Sequence, residues 1–330
     1  MINPRILVTG GSGLLGSYLL RWFKHAGYKQ LTATFQNPDS IPSDLREGIE
    51  WKSLKLPDTQ AAIEITRDKN WVIHSAALVS YHQSDKYRLL EMNTVGTADI
   101  TNACLLHQVD HLIYIGSIGA LGKESNHVTL NETNVWLQNQ FSTAYGLSKY
   151  LGELEVWRGA AEGLNVSVIL PSVILGTGHW HQSSLQLFDR VAKHSPWYPA
   201  GQTGYVDVRD VARFVGNILE KSISGQRWIL NGTNISYKDI YHLIAKELSL
   251  TKKYRPAPKW MAKTILMMTN LFAGKSPGTD ILNHVYGTFS YDASKSLGQD
   301  GFHYRPIEKT IREVAEEYKK GGDSRPLDFE

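Results

Sequence analysis

Short apolar runs rich in β-branched residues alternate with longer helical patterns through the first two thirds of the chain. Alternation of this kind is typical of right-handed βαβ units, in which helices cover both faces of a parallel sheet. The spacing of apolar positions predicts strands at residues 6–8, 31–35, 71–75, 112–115 and 166–170, and helices at residues 16–25, 87–107 and 143–162.

After residue 170 the pattern loosens, and glycines and prolines punctuate the chain up to residue 204. A further strand is predicted at residues 205–208, followed by a helix at 210–220 with Asp210 as its candidate N-cap. We expect a doubly wound parallel α/β domain over residues 1–176, to which the chain returns at about 205–231. A smaller mixed α/β substrate domain is expected to comprise residues 177–204 and 232–330. We expect a mobile terminus beyond residue 319.

The composition is that of a globular protein, with 330 residues of which 42% are hydrophobic. A net charge of +3 provides no strongly basic surface for nucleic acid. The single cysteine, Cys104, can form neither an intrachain disulfide nor a cysteine-based zinc site. The first residues leave no room for a signal peptide, and the stretch 260–272 is too short for a membrane span. We therefore expect a cytoplasmic protein with a small-molecule substrate and no nucleic-acid or membrane partner.

A glycine-rich segment follows the first predicted strand and opens the first predicted helix. Backbone N–H groups at a helix N-terminus bind a pyrophosphate, and glycines allow the tight turn and the close approach. This context predicts a Rossmann-type dinucleotide site that includes Thr9, Gly10, Gly13, Leu14, Leu15 and Gly16.

The end of the second strand lacks the acidic residue that would bind the adenosine ribose hydroxyls of NAD. Thr34, Gln36 and Asn37 stand there instead, and their polar side chains can donate hydrogen bonds to a 2′-phosphate. The sequence therefore favours NADP(H), with NAD(H) as the alternative.

Tyr145 and Lys149 stand four residues apart in a predicted helix, so their side chains share one face. A free tyrosine has a pKa of about 10, and a nearby cation lowers it towards the range useful for proton transfer at neutral pH. Ser117 follows the strand predicted at 112–115, at the sheet edge where ligands of open α/β proteins bind. These three residues predict a site that exchanges a proton with a substrate carbonyl or hydroxyl group.

Together with further segments, these motifs resemble the extended short-chain dehydrogenase/reductase family of the NAD-dependent epimerase/dehydratase superfamily, and within it the dihydroflavonol-4-reductase-like branch. The resemblance covers nearly the whole chain. The further segments are residues 74–77 (His-Ser-Ala-Ala), Asn93 with Gly96-Thr97, residues 170–176, 206–212 and 291–295, and Arg305-Pro306.

The resemblance implies a role for each matching residue. Tyr145 would donate or accept the proton, while Lys149 would bind the nicotinamide ribose and lower the tyrosine pKa. Ser117 would polarise the substrate oxygen, and Asn93 would support the geometry. The remaining cofactor contacts implied are Leu56, through its backbone, and Ala76, Ala77, Pro171 and Val173.

Four positions depart from the family pattern. Gly116 and Gly119 replace hydroxyl residues that flank the serine in many relatives. Lys55 replaces an aspartate that often holds the adenine, and Gln36 replaces the arginine of NADP-dependent relatives. We expect a less polar wall around Ser117 and a weaker indication of cofactor preference.

The resemblance implies an NAD(P)-dependent oxidoreductase that interconverts a ketone and a secondary alcohol on an apolar small molecule, ring-containing molecules included. The first alternative is a nucleotide-sugar epimerase or dehydratase, which uses the same tyrosine and lysine. Against it, Val173 occupies the position where the sugar-nucleotide branch usually carries an asparagine. The second alternative is a cofactor-sensing regulator without turnover, which the presence of Ser117, Tyr145 and Lys149 disfavours.

Candidate substrate contacts are Ser80, Tyr81 and Trp180, which follow predicted strand ends. The stretch 260–272 is either a lid or a buried helix. His179 and His181 lack a third ligand at a useful spacing, so we expect no metal site. By resemblance, the helices at 87–107 and 143–162 would form a homodimer surface.

Overall fold

The computed structural model describes residues 3–178, 185–193, 196–264, 280–321 and 325–329. Its main sheet contains β1 (Ile6–Thr9), β2 (Leu31–Phe35), β3 (Glu50–Ser53), β4 (Trp71–His74), β5 (His111–Ile115), β7 (Val166–Pro171) and β11 (Gln226–Leu230). These seven strands are all parallel, in the order β11-β7-β5-β4-β1-β2-β3. The strand order reverses beside β1, and ligands of doubly wound sheets bind at such a reversal. The expected Rossmann-type α/β fold is confirmed.

Helices cover both faces of this sheet, because each face carries its own hydrophobic cluster. One face packs against α1 (Leu14–His25) and α7 (Val208–Glu220), and the other against α2 (Thr59–Thr66), α4 (Gly96–Leu106) and α5 (Ala144–Ala161). The other helices are α3 (Lys86–Leu90), α6 (Gln186–Lys193), α8 (Tyr237–Glu247), α9 (Asp280–Tyr286), α10 (Ser294–Leu297) and α11 (Ile307–Lys320). No helix in the described ranges is long and apolar enough to cross a bilayer.

A second sheet lies beyond the carboxyl ends of the main strands. It contains β6 (His127–Leu130), β8 (Val173–Leu175), β10 (Gln202–Asp207), β12 (Thr233–Ser236) and β14 (Thr288–Tyr291). The short strands β9 (Trp197–Tyr198) and β13 (Arg255–Pro256) pair separately. The strand predicted at 205–208 therefore belongs to the second sheet, and the chain returns to the main sheet and its covering helices only with α7 and β11. The division into two domains stays a prediction.

Two local expectations differ from the structure. Asp207, not Asp210, caps α7: its carboxylate accepts a hydrogen bond from the Arg209 backbone N–H at 2.7 Å. Asp210 is buried inside the helix, where it accepts hydrogen bonds from Arg305. The helix predicted at 87–107 is divided, because a π-helical turn at Glu91–Val95 separates α3 from α4.

The expectation of a mobile terminus is wrong for residues 325–329, which pack across α1. The Tyr18 hydroxyl accepts a hydrogen bond from the Leu327 N–H at 2.8 Å and lies 2.7 Å from the Thr177 hydroxyl. Thr177 in turn donates to the Arg325 carbonyl at 2.6 Å. The Phe329 ring meets the Tyr18 ring edge-on, with centroids 6.3 Å apart. These contacts tie the segment to the helix that follows the glycine loop.

Tyr18→Phe should destabilise the protein by about 1–3 kcal/mol, because it leaves buried hydrogen-bonding groups without partners. Urea unfolding measures the loss. Tyr28→Phe is the matched control, since its hydroxyl donates to Glu220 near the surface at 3.1 Å and its removal should cost less than about 0.5 kcal/mol. Equal losses in the two variants would contradict a specific anchoring role for Tyr18.

Candidate active site

The glycine loop leaves the N-terminus of α1 open to an anion. Gly13 precedes the helix, no side chain caps it, and its first turn contains no acidic residue. The first backbone N–H groups of the helix can therefore bind a phosphate. A Cβ on Gly16 would lie 2.1 Å from the Gly10 carbonyl oxygen, and one on Gly10 would lie 2.8 Å from the Ala76 Cα. The loop can thus adopt this turn only with glycines, and it fits a dinucleotide pyrophosphate.

The three polar residues at the end of β2 and just after it occupy different environments. Thr34 is buried, and its hydroxyl oxygen accepts a hydrogen bond from the Gly10 N–H at 2.9 Å. Gln36 and Asn37 are exposed, and the Asn37 side chain accepts from the Asp39 N–H at 3.1 Å. Thr34 therefore stabilises the glycine loop through its hydrogen bond with Gly10. Gln36 is exposed just beyond the end of β2.

The other predicted cofactor residues lie along the ends of the main strands. The Ala76 N–H donates to the Thr9 hydroxyl at 3.2 Å, which joins the strand end to the glycine loop. Ala77 follows on the same segment. Leu56 is buried against Gly96, Pro171 ends β7, and Val173 begins β8, where it pairs with Tyr205. Leu14 and Leu15 open α1.

Ser117 and Tyr145 border the same small space. Ser117 caps the short 3₁₀ turn Ile118–Ala120 after β5, and its hydroxyl accepts from the Gly119 N–H at 3.0 Å. Tyr145 lies in the first turn of α5, which Thr143 caps. A Cβ on Gly119 would lie 3.3 Å from the Ser117 hydroxyl and 3.6 Å from the Tyr145 ring. The glycine that departs from the family pattern thus keeps this space open.

Burial dominates the ionisation of Tyr145. It raises the pKa of the phenol above its usual value, and a hydrogen bond with Ser117 opposes the rise. The phenol is therefore protonated at neutral pH. The lowering by Lys149 that the resemblance implies does not contribute in this structure and stays a prediction.

Lys149 is buried, with 2% of its surface exposed. Its ammonium donates to the Ile115 carbonyl at 2.7 Å and lies 4.4 Å from the centroid of the Tyr114 ring. Burial lowers its pKa to about 7, against the opposing charge of Glu153. Lys149 is therefore held at the end of β5, one helical turn from Tyr145.

Asn93 connects the loop after β4 to α5. It is completely buried in the π-helical turn Glu91–Val95, an irregularity that often marks functional sites. Its side-chain oxygen accepts from the Leu78 N–H at 2.8 Å, and its Nδ2 donates to the Leu78 carbonyl and to the Ser148 hydroxyl, both at 2.9 Å. Asn93 thus fixes the backbone on both sides of the predicted site.

His74 is a residue to which the sequence reasoning assigned no role. Its Nδ1 lies 2.8 Å from the Thr9 hydroxyl and its Nε2 lies 3.1 Å from the Thr97 hydroxyl. Because Thr97 donates its own proton to the Asn93 carbonyl, it must accept from the His74 Nε2–H. Burial and the charge of Lys149 lower the pKa of His74 to about 3, so the imidazole is neutral.

The resulting chain of hydrogen bonds runs from the glycine loop through His74 and Thr97 to Asn93. The only signal in the sequence is the position of this histidine at the end of a buried strand, beside the resemblance to the family motif.

The predicted substrate residues divide into three groups. Tyr81 packs edge-on against Tyr145, with ring centroids 5.8 Å apart, and remains 40% exposed. The Ser80 hydroxyl instead donates to Asp85 at 2.6 Å and stabilises its own loop. Trp180 lies outside the described residues, as do most of the stretch 260–272 and both His179 and His181. Within the described part of the chain, no three His, Cys, Asp or Glu side chains form a candidate metal site.

Comparisons with known proteins identify the family of the chain. The family model "NAD dependent epimerase/dehydratase family" matches residues 6–230. A curated relative, a putative dihydroflavonol 4-reductase of Synechocystis, is 24% identical over 332 residues, which is 96% of this chain and 94% of the relative.

Two solved structures share the fold across almost the whole chain. The protein gox2253 has a TM-score of 0.83 and 23% identity, with 98% of this chain and 100% of that chain covered. UDP-glucose 4-epimerase of Thermotoga maritima, solved with UDP-glucose, has a TM-score of 0.78 and 18% identity, with 96% and 98% covered. With the family model matching more than half of its length, the chain belongs to the NAD-dependent epimerase/dehydratase family.

Proposed function

We propose that the protein is an NAD(P)-dependent oxidoreductase that interconverts a ketone and a secondary alcohol on an apolar small molecule, ring-containing molecules included. The observation that carries the proposal is the convergence of Ser117 and Tyr145 on the space beside Gly119. This space adjoins the carboxyl ends of the main strands, where the glycine loop can hold a dinucleotide.

Each residue then has a chemical task. Ser117 donates a hydrogen bond to the substrate oxygen, and Tyr145 delivers the proton to that oxygen as the carbonyl becomes an alcohol. Lys149 provides the positive charge near the ribose and the phenol, while Asn93 holds α5 and the Leu78 loop in register. The nicotinamide supplies the hydride when bound.

The buried phenol is suited to act as a proton donor at neutral pH. A raised pKa keeps Tyr145 protonated, which is the form that donates to a reduced carbonyl.

A nucleotide-sugar epimerase is the second candidate, because the epimerase of Thermotoga maritima shares the fold. Two observations favour the reductase. Val173 pairs in β8 and offers no polar side chain, and the Tyr81 ring covers Tyr145 with an apolar surface. The putative dihydroflavonol 4-reductase of Synechocystis supports the same choice. Against a regulator without turnover, Ser117, Tyr145 and Lys149 are assembled in one place.

We also propose a cytoplasmic homodimer. The dimer is supported by exposed apolar side chains on α3, the π-helical turn, α4 and α5, namely Tyr87, Val95, Leu106 and Leu154. Single exposed apolar residues are ordinary, but a group on adjacent helices is typical of an interface.

Turnover of a panel of apolar ketones and nucleotide sugars tests the function. Reduction of a ketone by wild-type protein is expected, and Tyr145→Phe should lower kcat by at least about 10²-fold because the proton donor is lost. Binding of the dinucleotide, measured by fluorescence titration, should be retained because the ring remains. Epimerisation of a UDP- or dTDP-sugar would establish the second candidate instead.

The ionisation of Lys149 predicts a pH dependence. Because its pKa is about 7, the ammonium loses its charge as pH rises through this value, and kcat/KM for reduction should decline above it. Tyr145 should not contribute to this decline in kcat/KM, since its pKa is raised. Initial rates between about pH 6 and pH 9 give the profile. A flat profile would show that the charge of Lys149 is dispensable.

The residues at the end of β2 and just after it predict which dinucleotide the protein prefers. NADPH should bind at least as tightly as NADH, since no carboxylate among residues 34–37 repels a 2′-phosphate. Gln36→Asp should reverse the preference by charge repulsion, and Gln36→Asn is the neutral control that should not. Titration of each variant with both dinucleotides measures the ratio, and a clear NADH preference in the wild type would refute this assignment.

A further inference from the structure

Lys123 is a buried cation without an anionic partner in the described residues. It lies in the segment between the 3₁₀ turn after Ser117 and β6, with 3% of its surface exposed. The ammonium donates to the Leu121 carbonyl at 3.3 Å and lies 5.3 Å from the centroid of the Phe289 ring. No carboxylate in the described ranges forms an ion pair with it.

This environment is unfavourable for an ammonium group on its own. Buried charges in proteins are normally paired and hydrogen-bonded, because desolvation is costly. Lys123 has three N–H donors, and only one of them has an acceptor within the described ranges. Burial lowers its pKa to about 8, so the group still carries its charge at neutral pH.

The imidazole of His284 also packs against the Phe289 ring. It lies on α9, and its ring centroid is 5.7 Å from that of Phe289. Its Nδ1 is buried and has no hydrogen-bond partner among the residues that the structure describes. Burial and the nearby charge of Lys123 lower the pKa of His284 to about 3, so the imidazole is neutral and can offer an N–H donor.

The Phe289 ring places these two groups near the proposed active site. Phe289 packs edge-on against Phe141, with centroids 5.9 Å apart, and Phe141 stands four residues before Tyr145, ahead of the Thr143 N-cap of α5. The Lys123 carbonyl accepts a hydrogen bond from the Asn139 side chain at 2.6 Å. This bond joins the segment that contains Lys123 to the residues that precede α5.

We propose that Lys123 and His284 form a binding subsite, beside Phe289, for a carboxylate group on the substrate. One cation and one neutral donor match the two oxygens of a carboxylate, whereas a phosphate ester calls for more donors. The substrate is then an apolar ketone with an acidic group at its far end. That last step rests on the proposed function, whereas binding of a carboxylate by this pair does not.

Direct binding tests the subsite without any turnover. Isothermal titration with benzoate at neutral pH should show binding to the wild type, weakened about 10- to 100-fold in Lys123→Met. Lys295→Met is the matched control, since that ammonium also lies over an aromatic ring, 4.6 Å from the centroid of Trp228, and should leave benzoate binding unchanged. Absence of binding to the wild type, or equal binding by wild type and Lys123→Met, would overturn the subsite.

Kinetics then tests its link to the reaction. With 4-acetylbenzoate and its methyl ester as ketone substrates, the acid-to-ester ratio of kcat/KM should fall at least about tenfold in Lys123→Met and stay constant in Lys295→Met. An unchanged ratio in Lys123→Met would separate the subsite from the substrate. If Lys123→Met does not fold, His284→Phe replaces it in both experiments, with the same expected losses. If neither ketone is reduced, the ketone panel described above decides the proposed function, while the benzoate titration decides the subsite.

Discussion

The Asn93 side chain is the junction on which the candidate active site depends. One amide satisfies both backbone groups of Leu78 and also reaches Ser148, so the loop after β4 and the helix α5 are held at fixed separation. The Ser148 hydroxyl in turn donates a hydrogen bond to the Tyr145 carbonyl at 2.8 Å. Because Asn93 is fully buried, losing any of these partners would leave a desolvated polar group unpaired. Asn93 is therefore a positioning residue, which acts through the backbone around the reacting groups.

Burial also sets the charge state of the groups around this junction. It raises the pKa of Tyr145, lowers that of Lys149 to about 7, and lowers that of His74 to about 3. In each case the neutral form gains relative to the charged form, since a site with little water solvates charge poorly. The result is a tyrosine held as a proton donor, beside a lysine whose charge is easily changed by its surroundings.

Buried polar contacts join the second sheet to the helices around it. Asp207 caps α7 and also pairs with Arg209, which reaches Glu313 on α11. Thr310 of the same helix donates to Asp207 at 2.7 Å. The end of the second sheet, α7 and α11 are thus joined at one carboxylate. Removing one partner of such a buried network would leave a charge uncompensated.

The sequence by itself determined the features that depend on neighbours along the chain. Apolar periodicity identified five of the seven strands of the main sheet and missed β3 and β11. The glycine spacing identified the turn before α1, and the four-residue interval placed Tyr145 and Lys149 on one helix face. These properties are local, because each follows from the geometry of a single strand, turn or helix.

Only the tertiary structure decided which polar groups satisfy one another. In the structure, Asp207 caps α7 instead of Asp210, and the Thr34 hydroxyl accepts a hydrogen bond from the glycine loop. Residues 325–329 pack against Tyr18. The fold also brings Lys123 and His284 to the same aromatic ring. Such pairs lie far apart in the chain and follow no spacing rule. Their physical basis is burial, which forces each polar group to find a partner among whichever residues the fold brings close.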